Sequence, residues 1–364
     1  MSRTRVGLLV ALASAVVMGG CTQEAPKTPM IRIGAIMPLT GDYAPYGARS
    51  LKAARLGLQD GGLVEGRSYS LAVEDDAADA KRSVSAASKL LNVDGVDFVI
   101  GPFASGSTIA VAPLIRDKPV IVISPASTAP SISGLAPNLY RTCPSDTAEA
   151  NVVATTMHAA GIATATVLYI QNDYGVQLKT AFERTFAGLG GRVMMSDAFA
   201  PGTKDFRTLV AKVLNNKAGA VYLIGYDELQ GLVRSLVQEA RMGPVPVYAN
   251  VMLNNPAILS VLRQCDACKA WRISFPVWTP DSAEAAAAMK SFEARLGEQS
   301  DPFAVNSYNA GRVIAAAVAA APNGGFERWS QYLRTARFTS LTGTLSFDKN
   351  GDVVLPVRMV EVFK

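Results

Sequence analysis

The sequence predicts an α/β protein of two lobes, each a mainly parallel sheet with helices on both faces. Short apolar strands and helices of 3.6-residue period alternate from Met30 to Ala249, which is the order of βαβ units. That alternation is too long for one comfortable sheet. Segments at Leu139–Asp146, Phe275–Val277 and Leu341–Gly343 break the pattern and read as three passages between lobes.

Taken in order, Ile31–Met37 is an apolar strand and Gly47–Gln59 carries helical period. Tyr69–Glu74 is a strand and Ala77–Leu91 a helix, with Asp75 and Asp76 at the join. Two acids after a strand can pass for a metal or acid pair; here they read as a solvated cap of the next helix. Phe98–Ile100 and Val120–Ile123 are short buried strands around the helix Ser107–Arg116. Thr147–Ala160 is helical, Thr166–Ile170 a strand, Gly175–Leu189 a helix and Arg192–Phe199 a strand. Phe206–Lys217, Ala220–Ile224, Asp227–Ala240 and Val245–Ala249 continue as helix, strand, helix, strand. Ser282–Leu296 is a helix, and Ala315–Ala321 is a helix face. Leu345–Phe347 and Val353–Phe363 flank Asn350-Gly351, a hairpin turn signal. The loop Asp348–Asp352 lacks the glycine position and closing glutamate of a calcium loop.

Met1–Gly20 reads as a secretory signal: Arg3 and Arg5 precede an apolar run, Val6–Met18, too short for a bilayer. Met18-Gly19-Gly20-Cys21 resembles a lipobox, with Cys21 as the lipidated first residue of the mature chain. A simple cleaved signal with a chance cysteine is the alternative. Residues 21–29 form the lipidated cysteine and a polar tether. The chain has 35 Lys and Arg against 30 Asp and Glu, a net charge of +5. So small and dispersed an excess excludes a nucleic-acid partner. Cys265 and Cys268 read first as a structural disulfide across a turn, with a redox-active pair as the alternative, and Cys143 as a buried small hydrophobe. One histidine, His158, on a helix among Ala and Met, supports neither a metal site nor catalysis. No nucleophile elbow, zincin or dinucleotide motif is present, so no enzyme and no cofactor is expected.

The strands Phe98–Ile100 and Val120–Ile123 each run into a small hydroxyl-bearing turn, Ala104–Thr108 and Ser124–Thr128. Strand carboxyl ends face the ligand crevice in parallel α/β sheets. Two such turns side by side aim hydroxyls and free N–H groups at one point, which suits a carboxylate. Ser105 and Thr128 also fit a plainer role as helix caps.

Eight segments then carry a resemblance: IRIGAIMPLTGDYAPYG (Ile31–Gly47), FVIGPFASGST (Phe98–Thr108), VIVISPASTAP (Val120–Pro130), YRTCPSD (Tyr140–Asp146), VLYIQNDYG (Val167–Gly175), PGTKDF (Pro201–Phe206), VYLIGY (Val221–Tyr226) and LTGTLSFDKNGD (Leu341–Asp352). In this order and spacing the chain resembles the leucine/isoleucine/valine-binding class of periplasmic binding proteins of ABC transporters. The resemblance implies a type I periplasmic binding fold: two Rossmann-like lobes joined by a three-segment hinge and closing on a ligand between them. The expected division is residues 30–142 and 278–342 for the first lobe, 143–277 and 343–364 for the second. It implies delivery of a small amino acid, amide or carboxylate to an ABC permease with separate ATPase subunits; with the lipobox-like Cys21, the expectation is a monomer in the periplasm or at the extracytoplasmic face of the cell envelope, held by a lipid anchor. A ligand-sensing or envelope-enzyme-regulating lipoprotein on the same fold is the alternative.

Carried over residue by residue, Ser105 matches the serine that holds the ligand carboxylate. Thr128 matches the threonine that helps bind the carboxylate and, with the carbonyl of Ala126, the ammonium. Tyr46 matches a cleft aromatic of the first lobe, and Tyr174 and Tyr226 two aromatics of the second. The family's ammonium-binding acid follows the strand Val245–Ala249, where this chain reads Asn250-Val251-Met252-Leu253-Asn254. Asp227 or Glu228 are the substitutes in reach. Without an acid the expected ligand shifts to an amide, a short carboxylic acid or an aromatic acid, with Met252 and Leu253 favouring an apolar tail.

Overall fold

A computed structural model describes residues 30–239, 245–280 and 282–363. The expected secretory signal, lipidated Cys21 and tether lie outside the described residues. The first lobe opens with β1 (Ile31–Met37), α1 (Ala44–Asp60), β2 (Tyr69–Asp75), α2 (Ala80–Lys89), β3 (Phe98–Ile100), α3 (Ser105–Ile115), β4 (Ile121–Ser124) and β5 (Leu139–Arg141). Its strands form an all-parallel sheet in the order β2-β1-β3-β4-β5. β3, β4 and most of β1 are fully buried, as continuous Ile/Val runs require when helices cover both faces.

The second lobe holds α4 (Asp146–Ala159), β6 (Thr164–Ile170), α5 (Asp173–Gly188), β7 (Arg192–Phe199), α6 (Arg207–Asn216), β8 (Ala220–Ile224), α7 (Glu228–Glu239), β9 (Val247–Ala249), α8 (Pro256–Arg263) and β10 (Ile273–Val277). The chain then returns to the first lobe for α9 (Ala283–Leu296), α10 (Pro302–Ala320), α11 (Gly325–Thr335), β11 (Phe338–Ser340), β12 (Gly343–Phe347) and β13 (Val353–Val354). β14 (Arg358–Glu361) closes the second sheet, ordered β14-β10-β9-β8-β6-β7, pairing antiparallel with β10.

Side-chain caps set many helix starts. Asp79, Ser145, Asn172, Asn255, Ser282 and Asp301 each accept a main-chain N–H from the first turn of α2, α4, α5, α8, α9 and α10. The expected start of α2 at Ala77 moves to Ala80, because Ala77 and Ala78 have positive φ and Asp79 is the true cap. Asp75 instead accepts from Leu39 N, Thr40 N, Thr40 Oγ1 and Ala77 N. Burial opposes its ionisation, but these donors together hold its carboxyl down at about 2. Among the described residues no cluster of metal-ligating groups occurs, and no helix is long and apolar enough to cross a membrane.

The third passage differs from the expected one. β12 and β13 stay with the first lobe instead of crossing at Leu341–Gly343. Buried Arg141 at the end of β5 donates to Asp352 at 2.6 Å, and Arg141 N–H donates to the Gly351 carbonyl at 3.0 Å. Phe347 packs on Tyr140. A side chain at Gly351, with φ of 80°, would sit 2.2 Å from the Leu139 carbonyl, so the turn docks only with glycine there. The crossing therefore falls between β13 and β14.

Candidate functional site

The turns after β3 and β4 meet as expected, but several of their hydroxyls are engaged within the first lobe. Ser124 Oγ donates to the Pro102 carbonyl at 2.7 Å, and Ser127 Oγ lies 2.7 Å from Thr108 Oγ1. These bonds rivet the turns into one rigid edge. Ser105 remains at the front: it opens α3 but does not cap it, since Ala104 holds the cap position. Its hydroxyl accepts only a long bond, 3.4 Å, from Ala129 N. The hydroxyl and the free N–H groups of the first helical turn thus face the gap between lobes, where an anion is favoured.

That gap holds a cavity of about 280 Å³. Phe103, Ser105, Gly106 and Ala126 line it from the first lobe, and Asn172, Tyr174 and Tyr226 from the second. Tyr174 and Tyr226 stack at 5.4 Å between centroids, and Tyr43 meets Tyr226 edge-on at 5.2 Å. The Tyr174 hydroxyl accepts from Asn250 Nδ2 at 2.5 Å, so the residues after β9 position an aromatic wall. Met252 and Leu253 are buried in the second-lobe core and do not line the cavity. Asn172 caps α5 and lines the cavity as well.

The lobes touch around this cavity. Tyr46 Oη donates to Asp227 Oδ1 at 2.5 Å and accepts a longer bond from Asn255 Nδ2 at 3.4 Å. Ser131 N–H reaches Gln177 Oε1 at 3.2 Å. A Cβ at Gly106 would fall 2.4 Å from Asp173 Oδ2, so glycine admits this approach. Tyr46 and Asp227 are thus brought together across the gap and neither lines the cavity. Burial, then the Asp227 charge, raises the Tyr46 phenol far above its ordinary value, so it serves as a donor.

Thr128 lies behind the lining, buried, with its hydroxyl unpartnered. It caps no helix; its carbonyl accepts from Asp146 N–H at 2.9 Å. The Asp146 side chain stands beside the Thr128 hydroxyl, 1% exposed, with neither carboxyl oxygen in a formed hydrogen bond. Burial pushes this carboxyl up to about 7, against the opposing pull of Thr128 and Arg141. Glu149, one turn on, accepts from Val251 N at 3.1 Å and Tyr222 Oη at 3.4 Å. Burial and then the Asp146 charge push it well above the carboxylate range. The charge of Asp146 also reaches Tyr174 and Tyr226, both cavity walls. The second lobe therefore carries two acids near the cleft and none after β9: Asp173, which lines the cavity at the start of α5, and Asp146, buried at the start of α4 behind the lining. The sequence placed Asp146 in a passage between lobes and gave no sign of its burial. Phe303, at the base of α10, packs edge-on against Phe103 and Tyr46, and it too was missed.

Cys265 and Cys268 are joined in a disulfide with 5.2 Å between Cα atoms, and Cys143 is buried and free.

The sequence pattern of the periplasmic binding protein family matches residues 30–364. The chain is 28% identical over 352 residues to the leucine-, isoleucine-, valine-, threonine- and alanine-binding protein of Pseudomonas aeruginosa, covering 94% of this chain and 92% of that protein. It is 30% identical over 295 residues to a Leu/Ile/Val-binding protein of Rhizobium johnstonii, covering 79% and 78%. Among solved structures it is similar to an ABC-transporter solute-binding protein from R. palustris in complex with benzoate (TM-score 0.81, 24% identity, 92% and 93% covered). It is also similar to the branched-chain amino acid binding protein of Streptococcus pneumoniae in complex with isoleucine (TM-score 0.78, 20% identity, 92% and 97% covered).

Proposed function

The chain belongs to the periplasmic binding protein family, and from that premise we propose that it captures a small apolar α-amino acid between its lobes and delivers it to an ABC permease. It is a solute-binding protein and not an enzyme, as its relatives are. Ser105 and the N-terminus of α3 take the carboxylate, Thr128 bridges carboxylate and ammonium, and the Tyr174–Tyr226 stack covers the side chain. Cys21 carries the lipid that holds the mature chain at the outer face of the membrane.

The observation that carries the choice of an amino acid is Asp146. A buried carboxyl with no hydrogen-bond partner is costly. An ammonium entering beside Thr128 supplies the missing donor and the counter-charge. A benzoate-like acid would instead add a second negative group near it. Calorimetric titration of the mature chain with leucine, 4-methylpentanoate and benzoate tests this. Leucine is expected to bind at least tenfold tighter than its deaminated analogue. Tight benzoate binding without leucine binding would overturn the assignment.

A further inference from the structure

A second cavity is larger than the one between the tyrosines. It holds about 700 Å³ and lies on the far flank of the lobe junction, beside the passage that follows β10. It shares no lining residue with the smaller cavity. α8 supplies one wall, α9 and the start of α10 the other, and Trp278 of the hinge a third.

Its chemistry is that of a built site. Trp278, Leu259 and Met289 form an apolar surface. Asn306 is 2% exposed and lines the space, yet its Oδ1 has no hydrogen-bond partner. Its side-chain amide is thus available for a polar group of an occupant. The two acids on the wall are already engaged: Asp301 pairs with Arg49 at 2.5 Å, and Glu293 accepts from Ser300 N and Oγ at 2.9 and 2.8 Å. Arg263, at the exposed end of α8, forms no ion pair among the described residues. Glu293 is held by neutral donors only, and Arg263 is the wall's cation left to meet an anionic group of an occupant.

We propose that this hinge-side cavity is a second binding site, taking an N-acylated amino acid or similar amide-bearing apolar carboxylate. The carboxylate pairs with Arg263, the amide meets Asn306, and the side chain packs on Trp278, Leu259 and Met289. Because both lobes and the hinge form the walls, an occupant has different contacts in open and closed forms and shifts closure accordingly.

The test is calorimetric titration of the mature chain with N-acetyl-leucine. Measurable binding is expected. Arg263→Gln, at an exposed position, weakens it about tenfold, whereas Ser105→Ala, which damages the other cavity, does not. Ala285→Phe, which fills the space from α9, abolishes it. No binding at millimolar concentration overturns the proposal, as does binding indifferent to Arg263. Binding lost in Ser105→Ala would place the molecule in the smaller cavity and overturn it equally, while leaving the amino-acid assignment of that cavity intact.

Discussion

The Tyr46 hydroxyl of the first lobe donates a 2.5 Å hydrogen bond to the Asp227 carboxylate of the second. Each is engaged by the other across the gap, so the pair is expected to act on the closed form. Tyr46 is 3% exposed, while Asp227 stays at the surface. Tyr46→Phe should cost the closed form about 1 kcal/mol, near fivefold in affinity, and should speed ligand release more than it slows capture. Asp227→Asn should act in the same direction for every ligand, with or without an ammonium. Stopped-flow titration of both variants measures this, and an effect confined to ammonium-bearing ligands would return Asp227 to the binding site.

Ser105→Ala and Thr128→Ala should each weaken leucine binding at least tenfold, since each removes a charge-assisted hydrogen bond to a buried carboxylate. Neither hydroxyl has a short bond within the protein, so melting temperatures should stay within a few degrees. Wild-type affinity in both variants would refute the carboxylate grip.

Asp146→Asn should lower affinity for leucine and spare 4-methylpentanoate. The group also predicts a pH dependence. Its folded-state pKa, about 7, lies above the unfolded value of about 3.9. Between these values the folded chain holds the extra proton, so the ligand-free protein loses stability as pH rises through that window and levels off above about 7. Calorimetry should show Asp146→Asn stabilising the ligand-free chain at pH 8, with the gain vanishing near pH 4. An ammonium favours the ionised carboxylate, so leucine affinity should rise with pH toward 7. A flat profile would mean that Asp146 does not meet the ligand.

Gly106→Val should hold the lobes apart, because even a Cβ there meets Asp173 at 2.4 Å. Ligand affinity should fall by more than tenfold, and small-angle scattering should show an expanded form even with ligand present. A normal compaction would show that Asp173 yields.

Cys21→Ser should release the mature chain into the soluble fraction. Persistent sedimentation with membranes would argue against the lipid anchor.

The alternation of elements was legible because buried parallel strands write themselves as apolar runs, as in Ala220–Ile224, whose limits agree with the structure; those of the part-exposed edge strand Arg192–Phe199 agree as well. Ser105 was legible only as a residue of a strand-to-helix turn, where a cap role was open as well; the structure puts it on the cavity wall with Ala104 at the cap position. Asp146 was not: an acid in a first helical turn is ordinary at the surface, and only the packing of α4 against the second lobe buries it. Asp227 was also ambiguous, since its neighbour Tyr226 does line the cavity while its own side chain turns toward Tyr46. The last crossing was misplaced because Arg141 and Asp352 lie far apart in sequence, and nothing local marks that they pair. α8 and α11 were overlooked between stronger signals.

The Arg141–Asp352 tie leaves the strand β14 alone to ride with the second lobe while β1 stays in the first. Fluorophores attached just ahead of β1 and just after β14 therefore travel on separate bodies. Such a pair would turn solute capture into an optical distance readout without a label anywhere near either cavity.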